Sequence, residues 1–427
     1  MANTTLTRTF GTPSSTKTGT FSFWLKNLSS AGGGVFNNYG DANNRAILYI
    51  SNSQIDYFDA ATSTSISGTP QYRDPNGWYH VVLRIDTTQS SANDRTRVYV
   101  NGALQEATYG HTYNLNENSY MFTAGTPFVI GRDNSSGGSG DHLNAVISHF
   151  HYCDGQSYAP TVFGSVDSVT GEWQINTAPS MTMGNQGFTI LKDGNTITDQ
   201  SANSNNFSLG SGTLTKTEDN PSNVFATMNP LSKSLTNVVL SKGNTIVRND
   251  ANANGNVLGT IALGNGKYYW ETYRHGGGNT GLGITLASVD GSNHTAVHAS
   301  KVQYYQDGYI YQTGLGLSNI NTGVTYGDTD IIGVSVDTEN GTIKFYKNGA
   351  LVNNSSQTNS VFTLAQNELI PFWYVENGGE LRSNFGNGYF GTTAVSSAGT
   401  NASGNGIFEY NVQPTDATAI STKGLNL

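Results

Sequence analysis

The chain is short of charge, cysteine and long apolar runs, and each shortage closes off a class of protein. Charged residues make up 12% of 427, about half of the ~25% usual for soluble domains. Coiled coils and long-helix proteins need Ala, Glu, Lys and Leu in quantity, so they are excluded. The formal net charge is −9 and no Lys/Arg cluster offsets it, so a nucleic-acid partner is not expected. A single cysteine, Cys153, leaves no intrachain disulfide to form. No run approaches the ~18 apolar residues of a membrane span, so no membrane insertion is expected. Met1-Ala2-Asn3-Thr4-Thr5 lacks the basic and apolar parts of a signal peptide. Synthesis in a cytoplasm follows, with release by a route such as lysis that needs no signal.

What is abundant is glycine (51), tyrosine (23) and phenylalanine (18). Aromatic and β-branched residues suit half-buried pleated surfaces, and Gly, Asn, Ser and Thr suit the turns between short strands. The length suits two or three modules. Residues 78–86 place Tyr79, Val81, Leu83 and Ile85 on one face, the period-2 pattern of a strand on a core. Residues 20–25, 96–100, 127–132 and 143–152 read as further strands. Asn101-Gly102 is a hairpin turn, since both residues tolerate positive φ. In the second half, residues 267–273, 281–286, 330–337, 342–347, 369–375 and 380–386 read likewise, with Asp307-Gly308 as a turn. No segment carries helical periodicity over a helix length.

The halves echo each other. Ile85-Asp86-Thr87 leads to Arg97-Val98-Tyr99-Val100-Asn101-Gly102-Ala103-Leu104. Val336-Asp337-Thr338 leads to Lys344-Phe345-Tyr346-Lys347-Asn348-Gly349-Ala350-Leu351. The expected fold class is all-β, with two tandem β-sandwich (jelly-roll) modules. The boundaries read as 1–215 for the first module, 216–235 for a polar linker, 236–410 for the second module and 411–427 for a loosely packed polar tail.

Phe21–Lys26, Trp78–Val82, Val98–Gly102 and Phe128–Arg132 resemble the laminin-G-like, concanavalin A-like jelly roll. Gly266–Glu271, Gly281–Ile284, Ile331–Asp337, Gly341–Gly349 and Asn384–Gly386 fall in the order of a SPRY domain, which the second half resembles. Asp219–Leu231 is similar to a junction in virion proteins of tailed phages, and Ala419–Leu425 to their C-termini. The phage resemblance implies a particle component such as a tail fibre or receptor-binding protein. SPRY domains hold partners at loops on one end of the sandwich, which by position points to His275, Asn279, Tyr374 and Glu376.

Catalytic chemistry finds little footing. A glycosidase needs two carboxylates flanking the scissile bond, ~5 to 9.5 Å apart. Glu271 stands alone among aromatics, and Glu376 and Glu380 flank a turn, so no catalytic residue is assigned. Gly276-Gly277-Gly278 lacks the Lys and helix of a phosphate loop. His149 and His151, two apart on one strand, could share a metal with Cys153; the commoner reading is an isolated pair on an exposed face, with Cys153 a small buried residue. Asp133, Asn134 and Asp141 flank a Gly/Ser-rich loop whose oxygens would suit calcium; a solvated hairpin is the competing reading, and no other cofactor is expected. Tyr39, Tyr57, Tyr304 and Tyr305, with His275 and Tyr374, are candidate aromatics for stacking on sugar rings.

The expectation is therefore a virion structural protein, displayed on the particle as a homo-oligomer beside other virion proteins. It would bind a glycan or protein of the host surface. The alternative is a capsid decoration or tail-scaffold protein with a purely structural role; a glycan-degrading enzyme is the third reading.

Overall fold

The structure is a computed structural model that describes residues 4–26, 32–133, 142–192, 196–214, 216–313, 318–352 and 368–426. Two compact units divide it, Met1–Lys216 and Thr217–Leu427. Both are β-sandwiches, as the alternating runs require.

In the first unit an eight-stranded sheet runs in the order Ala107–His111, Thr64–Gly68, Gln54–Asp59, Arg45–Ser51, Gly33–Tyr39, Pro127–Ile130, Thr5–Thr9, Ser208–Ser211. A six-stranded sheet runs Phe188–Ile190, Val146–Asp154, Thr18–Lys26, Trp78–Asp86, Thr96–Val100, Ala103–Leu104. Val81, Leu83 and Ile85 are buried between the sheets and Tyr79 packs at their margin, which is the face the alternation assigns. Stacked rings fill the middle: Phe21 lies 4.3 Å from Tyr152 and Phe10 lies 4.7 Å from Phe128. The other face of Trp78–Asp86 is covered as well, since Val82 packs with Cys153 and Phe163.

The second unit pairs a seven-stranded sheet with an eight-stranded one. The first runs Met228–Lys233, Gly255–Gly259, Leu369–Glu376, Asn279–Leu286, Lys301–Tyr305, Tyr309–Thr313, Ile320–Asn321. The second runs Val238–Ser241, Ile246–Asn249, Gly379–Asn384, Lys267–His275, Ile331–Asp337, Thr342–Lys347, Ala350–Leu351, with Thr418–Ala419 joined to Lys267–His275. Trp270 and Trp373 are fully buried between them.

The echo between the halves extends to backbone geometry. Asn101 and Asn348 both have φ of 49°, and Gly102 and Gly349 both have φ of 79°, so both turns use the left-handed region open to Asn and Gly. Asn101 Oδ1 accepts from His80 N at 2.8 Å, and Asn348 Oδ1 accepts from Ile331 N at 2.8 Å. Each glycine also sits under an aromatic ring from a later segment. A Cβ at Gly102 would lie 2.3 Å from Trp173, and one at Gly349 would lie 2.6 Å from Tyr410.

Two expected boundaries are corrected. Residues 216–235 are not a linker: Phe225, Ala226 and Met228 belong to the second core, and Met228–Lys233 pairs with Gly255–Gly259. Residues 411–427 are not a loose tail. Thr418 and Ala419 pair in parallel with Tyr268 and Tyr269, and Val412, Ala417, Ala419 and Ile420 are buried. The two segments meet, with Ala226 N donating to Ile420 O at 2.9 Å. Small residues make this possible: a Cβ at Gly386 would stand 2.8 Å from that of Ala419.

Ile420 is fully buried and Leu425 is 37% exposed. Ile420→Ala is expected to cost about 2–4 kcal/mol and Leu425→Ala less than ~1 kcal/mol in urea unfolding. Equal small effects would mean that the segment does not pack as described.

Candidate functional site

The end of the second sandwich that the SPRY resemblance indicates is held by one buried cation. Arg274 Nε donates to Thr280 Oγ1 at 3.0 Å, and Nη2 donates to Gly278 O at 2.7 Å and to Gln306 Oε1 at 3.0 Å. Nη1 pairs with Asp328 at 3.2 Å. Gln306 passes the order onward: its Nε2 donates to Asn279 Oδ1 at 3.0 Å, and Asn279 Nδ2 donates to Glu376 Oε2 at 2.9 Å. The Tyr374 hydroxyl lies 2.9 Å from the same Oε2 and 2.6 Å from Asn254 Oδ1; its one proton serves one acceptor at a time. Glycine is required at 278, where a Cβ would lie 2.1 Å from Gly379 N.

Three of the four expected residues, Asn279, Tyr374 and Glu376, thus come together. His275 does not. It is exposed on the other sheet, opposite Glu380, with its ring 6.4 Å from Tyr273. Tyr374 is a strand residue only 7% exposed, and Tyr57 and Tyr304 are core residues rather than loop aromatics. Arg274 and Gln306 carry no motif and were not legible in the sequence. Tyr309 and Tyr311 had a signal, since they alternate with the core residue Ile310.

The remaining chemical candidates resolve one by one. His149 and His151 are buried, not exposed. His149 has φ of 48°, and the pairing of Val146–Asp154 with Thr18–Lys26 shifts register between Ser148 and His151. That irregularity breaks the alternation that a shared face assumes. His149 Nδ1 lies 2.8 Å from Ser148 Oγ, and His151 Nδ1 lies 2.9 Å from Thr189 Oγ1. Cys153 sulfur faces that of Met181 at 3.5 Å. Among the described residues no three His, Cys, Asp or Glu gather to hold a metal. Of the calcium candidates, Asn134 and Asp141 lie outside the described residues, and Asp133 is half-buried. Glu376 and Glu380 sit on different sheets, and Glu380 is engaged by Arg382 at 2.7 Å and Arg248 at 3.5 Å.

One pair that sequence reading missed has the look of a catalytic dyad: Ser22 Oγ and His80 Nε2 lie 2.9 Å apart. The ring's other nitrogen settles the roles. Trp173 Nε1–H, a donor only, points at His80 Nδ1 at 3.0 Å. The neutral ring then carries its proton on Nε2 and donates it to Ser22, the reverse of a general base. Burial lowers the His80 pKa to about 3, and Trp24 and Trp173 flank its ring at 5.0 and 5.8 Å. The pair is packing.

Glu271 is likewise structural. Its oxygens accept Glu409 N at 2.7 Å, Tyr410 N at 2.8 Å and the Tyr269 hydroxyl at 3.2 Å. Burial outweighs these donors and pushes its pKa up to about 7. Because the folded value exceeds the unfolded one of 4.5, the stability it contributes is complete below that value and is lost as pH rises through about 7. We expect the second unit to lose up to about 3 kcal/mol across that window, and Glu271→Gln to flatten the slope in urea unfolding at pH 5 and 7. Equal slopes would contradict the assignment. Burial also pushes the Cys153 thiol up to about 12. A thiol-specific chromogenic reagent is expected to label it only after unfolding in urea; fast labelling of the native protein would contradict its placement.

Residues 3–162 match the family model of the concanavalin A-like lectin/glucanases superfamily, and residues 267–388 match that of the SPRY domain. No curated protein matches the chain. Among solved structures, the TRIM65 PSpry domain is 16% identical with a TM-score of 0.27, over 37% of this chain and 90% of that one. The SPRY domain of human HERC1 is 20% identical with a TM-score of 0.28, over 36% and 96%. The stonustoxin structure is 18% identical with a TM-score of 0.28, over 37% and 27%. The chain carries a laminin-G-like, concanavalin A-like module followed by a SPRY domain, two module types that typically bind rather than catalyse.

Proposed function

We propose that this protein is a structural component of a tailed-phage particle, displayed on its surface and attaching to a glycan or protein of the host. The binding half of the reading is carried by the Arg274–Gln306–Asn279–Glu376 network, which holds a rim of the SPRY sandwich in place before any ligand arrives. A rim ordered in advance spares the ordering cost that weakens binding by mobile loops. The particle half is supported by the phage-like junction at Asp219–Leu231 and by the ending Ala419–Leu425. Each contact can be weak, because copies of a homo-oligomer acting together raise avidity without a new contact. The second reading is a capsid decoration or tail scaffold. Val166 and Val169, 61% and 91% exposed near one hairpin, favour it as a contact with other virion proteins.

The test is retention of the purified chain by intact host bacteria. The attachment reading expects saturable retention, reduced about tenfold in Glu376→Ala, in keeping with the loss of one well-placed hydrogen-bonding group. No retention above that of an unrelated β-sandwich protein would overturn it.

A further inference from the structure

The outer face of the seven-stranded sheet carries a row of tyrosines. Successive side chains on a strand point to opposite faces. Trp373 and Val375 are in the core, so Tyr374 points out; Val302 and Tyr304 are in the core, so Tyr305 points out; Ile310 is in the core, so Tyr309 and Tyr311 point out. Between Tyr374 and Tyr305 stands Gly281, which pairs with both. Strands two apart in a sheet are separated by about 9.6 Å, yet these two ring centroids are 5.9 Å apart. The glycine also admits the Gln303 side chain beneath the rings, since a Cβ there would lie 2.1 Å from its Nε2. The row continues from Tyr305 to Tyr311 at 5.9 Å and from Tyr311 to Tyr309 at 5.9 Å.

The row is held by its hydroxyls and flanked by acids. Tyr311 donates to Asp307 Oδ2 at 2.7 Å, and Tyr309 accepts from Asn321 Nδ2 at 3.2 Å. Exposure rises along it, from 7% at Tyr374 to 36% at Tyr309. Glu376 lies at one end and the exposed Asp307 at the other. Two cations stand nearby, Arg274 beneath the rim and Lys301 on the same outer face as the row, and both are covered. Arg274 is 7% exposed, and Lys301 is 2% exposed with its ammonium 5.8 Å from the Tyr311 ring.

We propose that this row is a binding site for neutral pyranose glycans, hexose or N-acetylhexosamine, on the face of the sheet beside the loop rim. A pyranose offers a C–H face to an aromatic ring and hydroxyls at its edge. The row offers the partly exposed rings of Tyr305, Tyr311 and Tyr309, with the hydroxyl-bonded Glu376 carboxylate beyond the buried Tyr374. Protein-docking faces gather apolar anchors with few charges at the centre, and among the described residues no exposed aliphatic side chain stands among these tyrosines. The acidic flanks repel sialylated, uronate or sulfated chains. The inference rests on the attachment reading above and narrows its receptor to one class.

The test is isothermal titration of the full chain with soluble neutral hexose and N-acetylhexosamine oligosaccharides, run beside sialylated ones. Neutral oligosaccharides are expected to bind and sialylated ones not. Tyr309→Ala should weaken binding about tenfold, the loss of one aromatic contact, while Tyr309→Phe keeps it. No neutral binding, wild-type affinity in both Tyr309→Ala and Tyr311→Ala, or equal binding of sialylated chains would overturn the site. A chain that holds host bacteria but no neutral oligosaccharide loses this site and keeps the attachment reading. A chain that holds neither loses both.

Discussion

Side chains on a strand alternate between two faces, and this chain has too few charges to clothe the outer faces of its sheets. Each sandwich hides one face of each sheet in its core. The other face needs a second solution. In the first unit the segment after Asp154 lies over the six-stranded sheet and brings Phe163 and Trp173 onto Val82, Cys153 and His80. In the second, Leu258, Val297, Phe372 and Tyr374 form a satellite cluster on the outer face of the seven-stranded sheet. The C-terminal segment adds a strand to the opposite sheet and is fastened by a carboxylate, Glu271, sealed among aromatics. Among the described residues, the end of the tyrosine row at Tyr305, Tyr311 and Tyr309 is left partly exposed beside this cluster.

The same constraint explains what the sequence revealed. The strand Trp78–Asp86 was legible because Tyr79, Val81, Leu83 and Ile85 leave a period-2 trace on its core face, although His80 and Val82 on the other face are buried too. The Asn101-Gly102 and Asn348-Gly349 turns were legible because few residues tolerate positive φ. The covering segments were not. Residues 411–427 look polar because their buried run, Ala417 to Ser421, is short and is made of small or hydroxyl residues around a single Ile420. Their partners Tyr268 and Tyr269 lie far back in the chain. The 216–235 stretch misled for the same reason, since Phe225 and Met228 stand among polar neighbours and find their core only through the fold.

The candidate site was half legible. Asn279, Tyr374 and Glu376 were placed by family position, and the structure joins them through hydrogen bonds. Arg274 and Gln306, which order them, are single polar residues with no motif, and only three-dimensional proximity reveals them. The His149–His151 spacing misled because a register shift inside the strand is invisible to spacing. The Ser22–His80 contact shows the opposite hazard. It is a pair at catalytic distance whose third partner, an indole N–H, fixes the proton on the wrong nitrogen.

These features combine in a protein with few charged residues, whose aromatics are largely buried. The central claim is that the chain is displayed on a virus particle with its SPRY domain outward. A cryo-electron microscopy reconstruction of whole particles tests it most directly. The account predicts density for both sandwiches at the particle surface, with Tyr309, Tyr311 and Glu376 facing solvent. Burial of that face between capsid or tail subunits, or absence of the chain from the particle, would contradict it.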